Sequence, residues 1–175
     1  MLLVPLFPIS IVIAALIKLT SPGPVIHWSR RVGKNNVIFH MPKFRTMHQG
    51  TEDVATHLMK DPQSKITNIG FLLRKYSLDE IPQIFSVIKG KMSFVGPRPA
   101  LYNQEDLIAL RTERKVDSLM PGITGWAQVN GRDELSIHKK VEYDLDYYLK
   151  KSFFFDLYII WITIKKVFVK DGVSH

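Results

Sequence analysis

The chain has 175 residues, of which 46% are hydrophobic and 23% are charged. This composition is too apolar for a disordered segment and too charged for a bundle of membrane-spanning helices. The length suits one domain with a core of its own. The chain contains no cysteine, which excludes disulfides, thiolate metal sites and cysteine nucleophiles. Its formal net charge of +8 favours an anionic partner, such as a nucleic acid, an anionic lipid or a phosphorylated substrate.

The first apolar stretch covers residues 1–19. About eighteen residues would span roughly 27 Å as a helix, which is the lower limit for crossing a bilayer. Pro5 and Pro8 lack an amide hydrogen and predict a kink or break in this helix. Basic residues lie at the end of the stretch and beyond it, and by the positive-inside rule they favour a cytoplasmic position for the rest of the chain: Lys18, Arg30, Arg31 and Lys34. A membrane-associated helix is the favoured interpretation, and a buried core helix is the alternative.

A turn cluster at residues 20–24 separates this stretch from a β-prone region. Residues 25–39 contain two short β-prone runs around a Gly-Lys-Asn-Asn connection, which predicts a hairpin. In residues 43–47 cations alternate with apolar residues, so Lys43 and Arg45 would share one face of an extended strand. That face would suit a phosphate, but these residues alone favour simple solvent exposure.

The second of two predicted amphipathic helices begins near Asp79 and Glu80 and ends before Gly90. Pro82 indicates that start, because proline is tolerated only in a first turn. The two carboxylates would lie beside free backbone amides and the positive end of the helix dipole, which keeps them ionised and can receive phosphate oxygens. Ser77 and Glu80 also fit a capping box, so an ordinary helix cap is the alternative.

Two later segments combine glycine and proline with an arginine. Residues 93–99 place Arg98 between two prolines, on a stiff backbone that suits bidentate phosphate recognition. Residues 121–132 contain three glycines, Trp126 and a terminal Arg132, which suits close approach of a ligand to the backbone. Ordinary surface turns are the alternative for both segments. No pair of histidines has the spacing of a zinc site.

A second apolar stretch covers residues 153–169, near the carboxyl terminus. It is rich in aromatic residues and is interrupted by Asp156, Lys165 and Lys166. Aromatic anchors such as Trp161 together with charges favour a helix at the membrane interface over one in the hydrocarbon centre. A helix docked on the core is the alternative.

Five motifs occur together in an order typical of one family. They are SPGP at residues 21–24, KFRTM at 43–47, SLDEIPQ at 77–83, SFVGPRP at 93–99 and PGITGWAQVNGR at 121–132. With them the chain resembles the bacterial sugar transferase family, the monotopic phosphoglycosyl transferases that begin glycan assembly on polyprenyl phosphate. The resemblance extends from about residue 8 to residue 173. It favours a functional site at Asp79 and Glu80 over an ordinary cap.

The resemblance implies a ping-pong reaction at the bacterial inner (cytoplasmic) membrane. Asp79 matches the family's nucleophile, which would attack the sugar-bearing phosphorus of a UDP-sugar and release UMP. Polyprenyl (undecaprenyl) phosphate would then accept the phosphosugar. Glu80 matches the family's acid associated with Mg²⁺, an ion that offsets the charge of a diphosphate. Basic residues match phosphate-binding positions of the motifs: Lys43, Arg74, Arg98 and Arg132.

The expected fold is α/β, mostly helical with a small sheet, in one membrane-associated domain. Residues 1–19 would form the membrane-associated helix, and residues 20–175 the catalytic domain on the cytoplasmic face. The family's re-entrant helix breaks at a Ser-Pro pair, which Phe7-Pro8 replaces here, and most of its first leg is missing or lies upstream in a longer chain. The alternative function is a basic membrane-surface or nucleic-acid-binding module without catalysis. No nucleic-acid partner is expected, since the chain has no nucleic-acid-binding motif.

Overall fold

The computed structural model describes residues 3–51, 61–131 and 134–169. Contacts group the chain into two compact units, one with Met1–Ser29 and Met41–Phe85, the other with Arg30–His40 and Ser86–His175. The chain passes from the first unit to the second and back within one hairpin, so both strands of that hairpin contribute to both units.

The described chain is mostly helical, as predicted, and has two small sheets where one was expected. Its first elements are α1 (Leu3–Thr20), β1 (Ile26–Val32), β2 (Ile38–Phe44), α2 (Pro62–Lys65), α3 (Asn68–Lys75) and α4 (Ile84–Ile88). The later ones are β3 (Ser93–Val95), α5 (Glu105–Glu113), β4 (Gly122–Thr124), α6 (Trp126–Val129), α7 (Ile137–Lys150) and α8 (Phe153–Val169). Short 3₁₀ helices cover Lys34–Asn36, Leu78–Gln83 and Val116–Ser118.

Helix α1 is continuous through Pro8, so the predicted break at this proline is not observed. Pro8 removes only one helical hydrogen bond, and Pro5 lies in the first turn, where an amide needs no helical partner. Ile13 and Ile17 are buried in one core cluster with Leu73 of α3, which ties α1 to the first unit. Within residues 3–51, 61–131 and 134–169, no helix combines the length and the apolar character needed to cross a membrane.

The predicted hairpin is present, and its strands β1 and β2 are longer than the sequence indicated. The Gly33 amide donates to the Val37 carbonyl at 2.9 Å and closes the connection. Asn35 and Asn36 have φ angles of 54° and 59°, a left-handed conformation that asparagine tolerates better than most residues. A short connection of this composition therefore reverses the chain without a second glycine.

The core of the second unit lies around the pair of strands β3 and β4. These strands are parallel, with Ser93 opposite Gly122 and Val95 opposite Thr124. Buried residues from the strands, the connections and the last helices form one cluster: Val95, Val116, Leu119, Val129, Tyr147 and Ile159. This cluster supports the segments that follow β3 and β4, where two of the sequence motifs end.

Helix α8 has the bounds that the sequence predicted. Ile159 is fully buried, so one face of α8 packs on the core, as the docked-helix alternative expected. Asp156, which interrupts the apolar stretch, accepts a hydrogen bond from the Tyr147 hydroxyl at 2.7 Å and joins α8 to α7. Large apolar side chains of α8 are nevertheless exposed: Phe153, Phe154, Leu157, Tyr158, Trp161 and Ile164. These exposed apolar side chains are what a helix at a membrane interface would bury in the headgroup region, so they are consistent with the interfacial interpretation.

Candidate active site

The predicted carboxylates lie on the 3₁₀ helix Leu78–Gln83 of the first unit, in contact with Lys43 near the end of β2. Lys43 Nζ donates to Glu80 Oε1 at 2.9 Å and lies 3.9 Å from Asp79 Oδ2. The exposed fractions of the Lys43, Asp79 and Glu80 side chains are 14%, 11% and 10%. One ammonium therefore contacts both carboxylates in a partly desolvated environment, where Coulomb attraction is stronger than in water. The expectation that Lys43 faces solvent is wrong.

Arg74 of α3 adds a second cation in the same unit. Its Nε donates to Thr46 Oγ1 at 3.0 Å. Burial lowers the pKa of the Arg74 guanidinium, and the negative charge of Asp79 opposes that shift. An arginine starts from so high a pKa that it keeps its charge at physiological pH. Asp79 therefore interacts electrostatically with both Lys43 and Arg74.

The turn that precedes the carboxylates is not the predicted helix cap. Ser77 has a left-handed φ of 54°, and its side chain makes no capping hydrogen bond. The Glu80 carboxylate pairs with Lys43, so the capping box is not formed and the cap interpretation is wrong. The segment then runs as a 3₁₀ helix through Pro82 before α4 begins, and no long α-helix starts at Asp79. The positive charge that the structure places beside these carboxylates is that of Lys43, and Arg74 interacts with Asp79 electrostatically.

Arg45, the other cation of the KFRTM motif, has a structural role. The residue is 6% exposed, and its guanidinium donates from Nη2 to the Ser21 carbonyl at 2.8 Å and from Nη1 to the Pro22 carbonyl. Gly23 has a φ of +114°, and a Cβ there would lie 2.7 Å from Arg45 Nη1. The SPGP turn therefore binds Arg45, and the expectation that Arg45 faces solvent is wrong.

The other two predicted basic residues are Arg98 and Arg132. Arg98 belongs to the second unit, where it follows β3, and its carbonyl accepts a hydrogen bond from Arg111 Nη1 at 2.8 Å. Arg111 also donates to Asp144 Oδ2, from Nε at 2.9 Å and from Nη2 at 2.6 Å. Arg132 lies outside the described residues. The phosphate-binding roles of Arg98 and Arg132 stay predictions.

Thr46 is a contact residue that the sequence interpretation missed. It is 7% exposed and binds the Arg74 side chain. Strand alternation would place Thr46 with Phe44, which is buried in the core, and away from Lys43. A polar residue at a core-facing position needs a hydrogen-bond partner, and this is the signal that could have identified it.

The chemistry of Asp79 and Glu80 suits a hard cation. Proteins usually hold Mg²⁺ through one or two carboxylates, with substrate phosphates and water completing the octahedron. In the part of the chain that the structure describes, no group of three or more histidine, aspartate or glutamate residues could hold a metal alone. Asp79 and Glu80 are carboxylates of the kind that could hold such an ion together with substrate phosphates, and Lys43 donates to one of them, Glu80.

A comparison with known families settles the class of protein. The sequence profile described as bacterial sugar transferase matches residues 1–170. The chain belongs to the bacterial sugar transferase family. The resemblance carried by the five motifs is thereby confirmed, as is the prediction that the chain is a transferase.

Curated sugar transferases are similar over most of this chain. The uncharacterized sugar transferase EpsL of Bacillus subtilis is 41% identical over 163 residues, which cover 92% of this chain and 78% of EpsL. The UDP-N-acetylgalactosamine-undecaprenyl-phosphate N-acetylgalactosaminephosphotransferase of Aeromonas hydrophila is 37% identical over 97% of this chain. The UDP-glucose:undecaprenyl-phosphate glucose-1-phosphate transferase of Xanthomonas campestris pv. campestris is 43% identical over 93% of it. The chain spans only 41% and 35% of these last two proteins.

Proposed function

We propose that this chain transfers a sugar phosphate from a UDP-sugar to polyprenyl phosphate, through a covalent intermediate on Asp79, in polysaccharide biosynthesis. The observation that carries the proposal is the contact of Lys43 Nζ with Glu80, 2.9 Å away, and with Asp79, 3.9 Å away, in a bacterial sugar transferase. The names of two relatives describe transfer to undecaprenyl phosphate from UDP-N-acetylgalactosamine or UDP-glucose.

The proposed reaction has two displacements at the same phosphorus. In the first, a carboxylate oxygen of Asp79 attacks the phosphorus that carries the sugar, and the bond to the oxygen of UMP breaks. UMP leaves with the bonding electrons, and an acyl phosphosugar remains on Asp79. In the second, a phosphate oxygen of polyprenyl phosphate attacks this phosphorus, and Asp79 leaves as a carboxylate. The products are UMP and a polyprenyl diphosphate sugar.

The cations of the first unit support this chemistry. An anionic nucleophile approaches a diphosphate only when nearby positive charge offsets the repulsion. Lys43 contacts both carboxylates and Arg74 interacts with Asp79, so both cations would face an incoming phosphoryl group. Bound by Glu80 together with phosphate oxygens, Mg²⁺ would supply further charge neutralisation. Arg98 and Arg132 are proposed to bind phosphate on the strength of their motifs.

We also propose a location at the cytoplasmic face of the bacterial inner membrane. Polyprenyl phosphate is a lipid, so its phosphate is met at a membrane surface. Phe7 and Leu19 of α1 are 68% and 84% exposed, and α8 exposes a further apolar set. Exposed apolar helices with flanking cations can lie in the headgroup region without crossing the bilayer. The division into a membrane helix over residues 1–19 and a catalytic domain over residues 20–175 is part of this proposal.

A direct assay tests the proposed function. The purified chain is incubated with Mg²⁺, undecaprenyl phosphate and either UDP-glucose or UDP-N-acetylgalactosamine, and UMP and the lipid product are quantified. We expect UMP and the lipid diphosphate sugar to form in equal amounts. Continuous release of UMP and free sugar phosphate without lipid would indicate a hydrolase instead. Salt-sensitive oligonucleotide binding without UMP release would support the non-catalytic alternative.

Replacing Lys43 with methionine is expected to lower kcat/KM for UMP release by about ten- to a hundredfold. The variant removes the ammonium that contacts Glu80 and Asp79, so the two carboxylates and the diphosphate repel one another more strongly. Lys43→Arg should recover part of the loss because it keeps the charge. Lys65→Met removes an exposed charge from the same unit and should leave the rate unchanged. Equal rates for Lys43→Met and Lys65→Met would contradict the proposed role.

A further inference from the structure

We infer that Thr46 is a positioning residue that fixes the guanidinium of Arg74 beside Asp79 for phosphate recognition. This inference rests on the proposed function and adds a neutral residue to a site so far defined by charged ones. It rests on the hydrogen bonds that join Thr46 of the KFRTM motif to Thr67 and Arg74 at the two ends of helix α3. All three residues lie within the first unit.

Thr46 binds helix α3 at two places. Its backbone carbonyl accepts hydrogen bonds from the Thr67 amide at 2.9 Å and from the Thr67 hydroxyl at 3.3 Å. Thr67 is the N-cap of α3, since its Oγ1 accepts from the Gly70 amide at 3.0 Å. The Thr46 hydroxyl accepts from Arg74 Nε, near the other end of the same helix. One residue therefore contacts both the start of α3 and the Arg74 side chain near its end.

The direction of the Arg74 side chain follows from helix geometry. Side chains of an α-helix lean toward its amino terminus, so a long side chain near the end of α3 reaches back along the helix to Thr46. Gly70 lies between, and a Cβ at this position would collide with the Thr46 carbonyl. Helix α3 can approach the KFRTM segment this closely only with glycine there.

Holding Nε fixes the plane of the guanidinium. A free arginine side chain populates many rotamers. Its conformational freedom must be lost before the guanidinium can form two parallel hydrogen bonds to a phosphate. The Thr46 hydroxyl restricts this freedom in advance, while the charge of Asp79 acts on the same guanidinium. Donors that are oriented before substrate binds stabilise developing phosphoryl charge without reorganisation. Thr46 acts through Arg74 and does not itself contact the reacting atoms.

The test compares Thr46→Val, which keeps the shape and the backbone carbonyl, with Thr46→Ser, which keeps the hydroxyl. We expect Thr46→Val to lower kcat for UMP release about ten- to a hundredfold, with less than about a threefold change in KM for the UDP-sugar. Thr46→Ser should stay within about threefold of wild type. A Thr46→Val variant with wild-type kcat, or a Thr46→Ser variant as slow as Thr46→Val, would overturn the inference.

A double-variant cycle separates positioning from a purely structural role. Arg74→Lys lacks the Nε donor, so adding Thr46→Val to it should change kcat by less than about twofold. The same tenfold or greater loss in both backgrounds would show that Thr46 acts by another route. NMR supplies a readout independent of activity: the Arg74 Nε–H signal should exchange slowly in wild type and Thr46→Ser, and rapidly in Thr46→Val. Unchanged exchange overturns this inference, whereas an inactive wild type overturns the proposed function.

Discussion

Replacing Asp79 with asparagine is expected to abolish the covalent phosphosugar intermediate and to lower the rate of UMP release by at least about a thousandfold. The amide has nearly the same size as the carboxylate but is neutral and a poor nucleophile. Lys43 keeps its 2.9 Å hydrogen bond to Glu80, so we expect the variant to fold. Intact-protein mass spectrometry after incubation with UDP-sugar and Mg²⁺, without lipid acceptor, measures the adduct directly.

Two matched variants make the Asp79 result interpretable. Glu80→Gln retains the nucleophile, so it should still form the adduct, more slowly and with a weaker response to Mg²⁺. Asp106→Asn changes an exposed carboxylate in the first turn of α5 and should match wild type. An adduct that peptide mapping locates on another residue, or normal turnover by Asp79→Asn, would refute the assignment of the nucleophile.

Breaking the buried pair of Arg111 and Asp144 is expected to cost about 3–5 kcal/mol of unfolding free energy. Asp144 is 1% exposed and accepts two hydrogen bonds from Arg111. Burial raises the pKa of the Asp144 carboxyl, and the charge of Arg111 opposes that rise. Asp144→Asn leaves a partly buried guanidinium without a counter-charge, and Arg111→Met leaves a buried carboxylate alone. Urea unfolding of both variants measures the cost.

The loss of unfolding free energy in the Arg111→Met variant should also depend on pH. An acid whose pKa is raised by folding binds its proton more tightly in the native state, so the native state is favoured where the proton is bound. The loss of stability should therefore shrink as the pH falls toward the ordinary range of a carboxyl group and grow as the pH rises. A loss that is constant between acidic and neutral pH would contradict this account.

Replacing both partners provides the control for this prediction. The variant Arg111→Met with Asp144→Leu leaves no unpaired charge, so it should lose less stability than the two single variants together. The exposed pair of Lys139 and Glu142, 2.6 Å apart, is the surface comparison, and Glu142→Gln should have no measurable effect. If Asp144→Asn is as mild as Glu142→Gln, the buried pair does not stabilise the fold as proposed.

Apolar periodicity predicted the long helices well and their internal details poorly. The stretch over residues 153–169 forms α8 with those bounds, since a long apolar run specifies a helix in either a core or an interface. The expected break at Pro8 is absent, since Pro8 removes only one helical hydrogen bond and the rest of α1 keeps its own. A single left-handed residue such as Ser77 does not change the hydrophobic periodicity of the sequence. The 3₁₀ helix that follows it could therefore not be predicted.

The sequence motifs identified the charged residues of the site but not how they are arranged. Lys43 and Glu80 are 37 positions apart, and only tertiary packing brings them together. Lys43 and Arg45 looked equivalent as neighbouring cations on one strand face, yet one contacts the carboxylates and the other anchors the SPGP turn. Such assignments depend on which polar atoms lie within hydrogen-bond reach, and residue type alone does not contain that information.

The left-handed conformation of Ser77 affects the directions in which Arg74 and Asp79 point. Successive residues of an α-helix are offset by about 100° around its axis, so five positions correspond to about 140°. If α3 had continued without interruption, Arg74 and Asp79 would therefore point in widely different directions. The reversal of φ at Ser77 ends that rotation, and Asp79 comes within the electrostatic reach of Arg74.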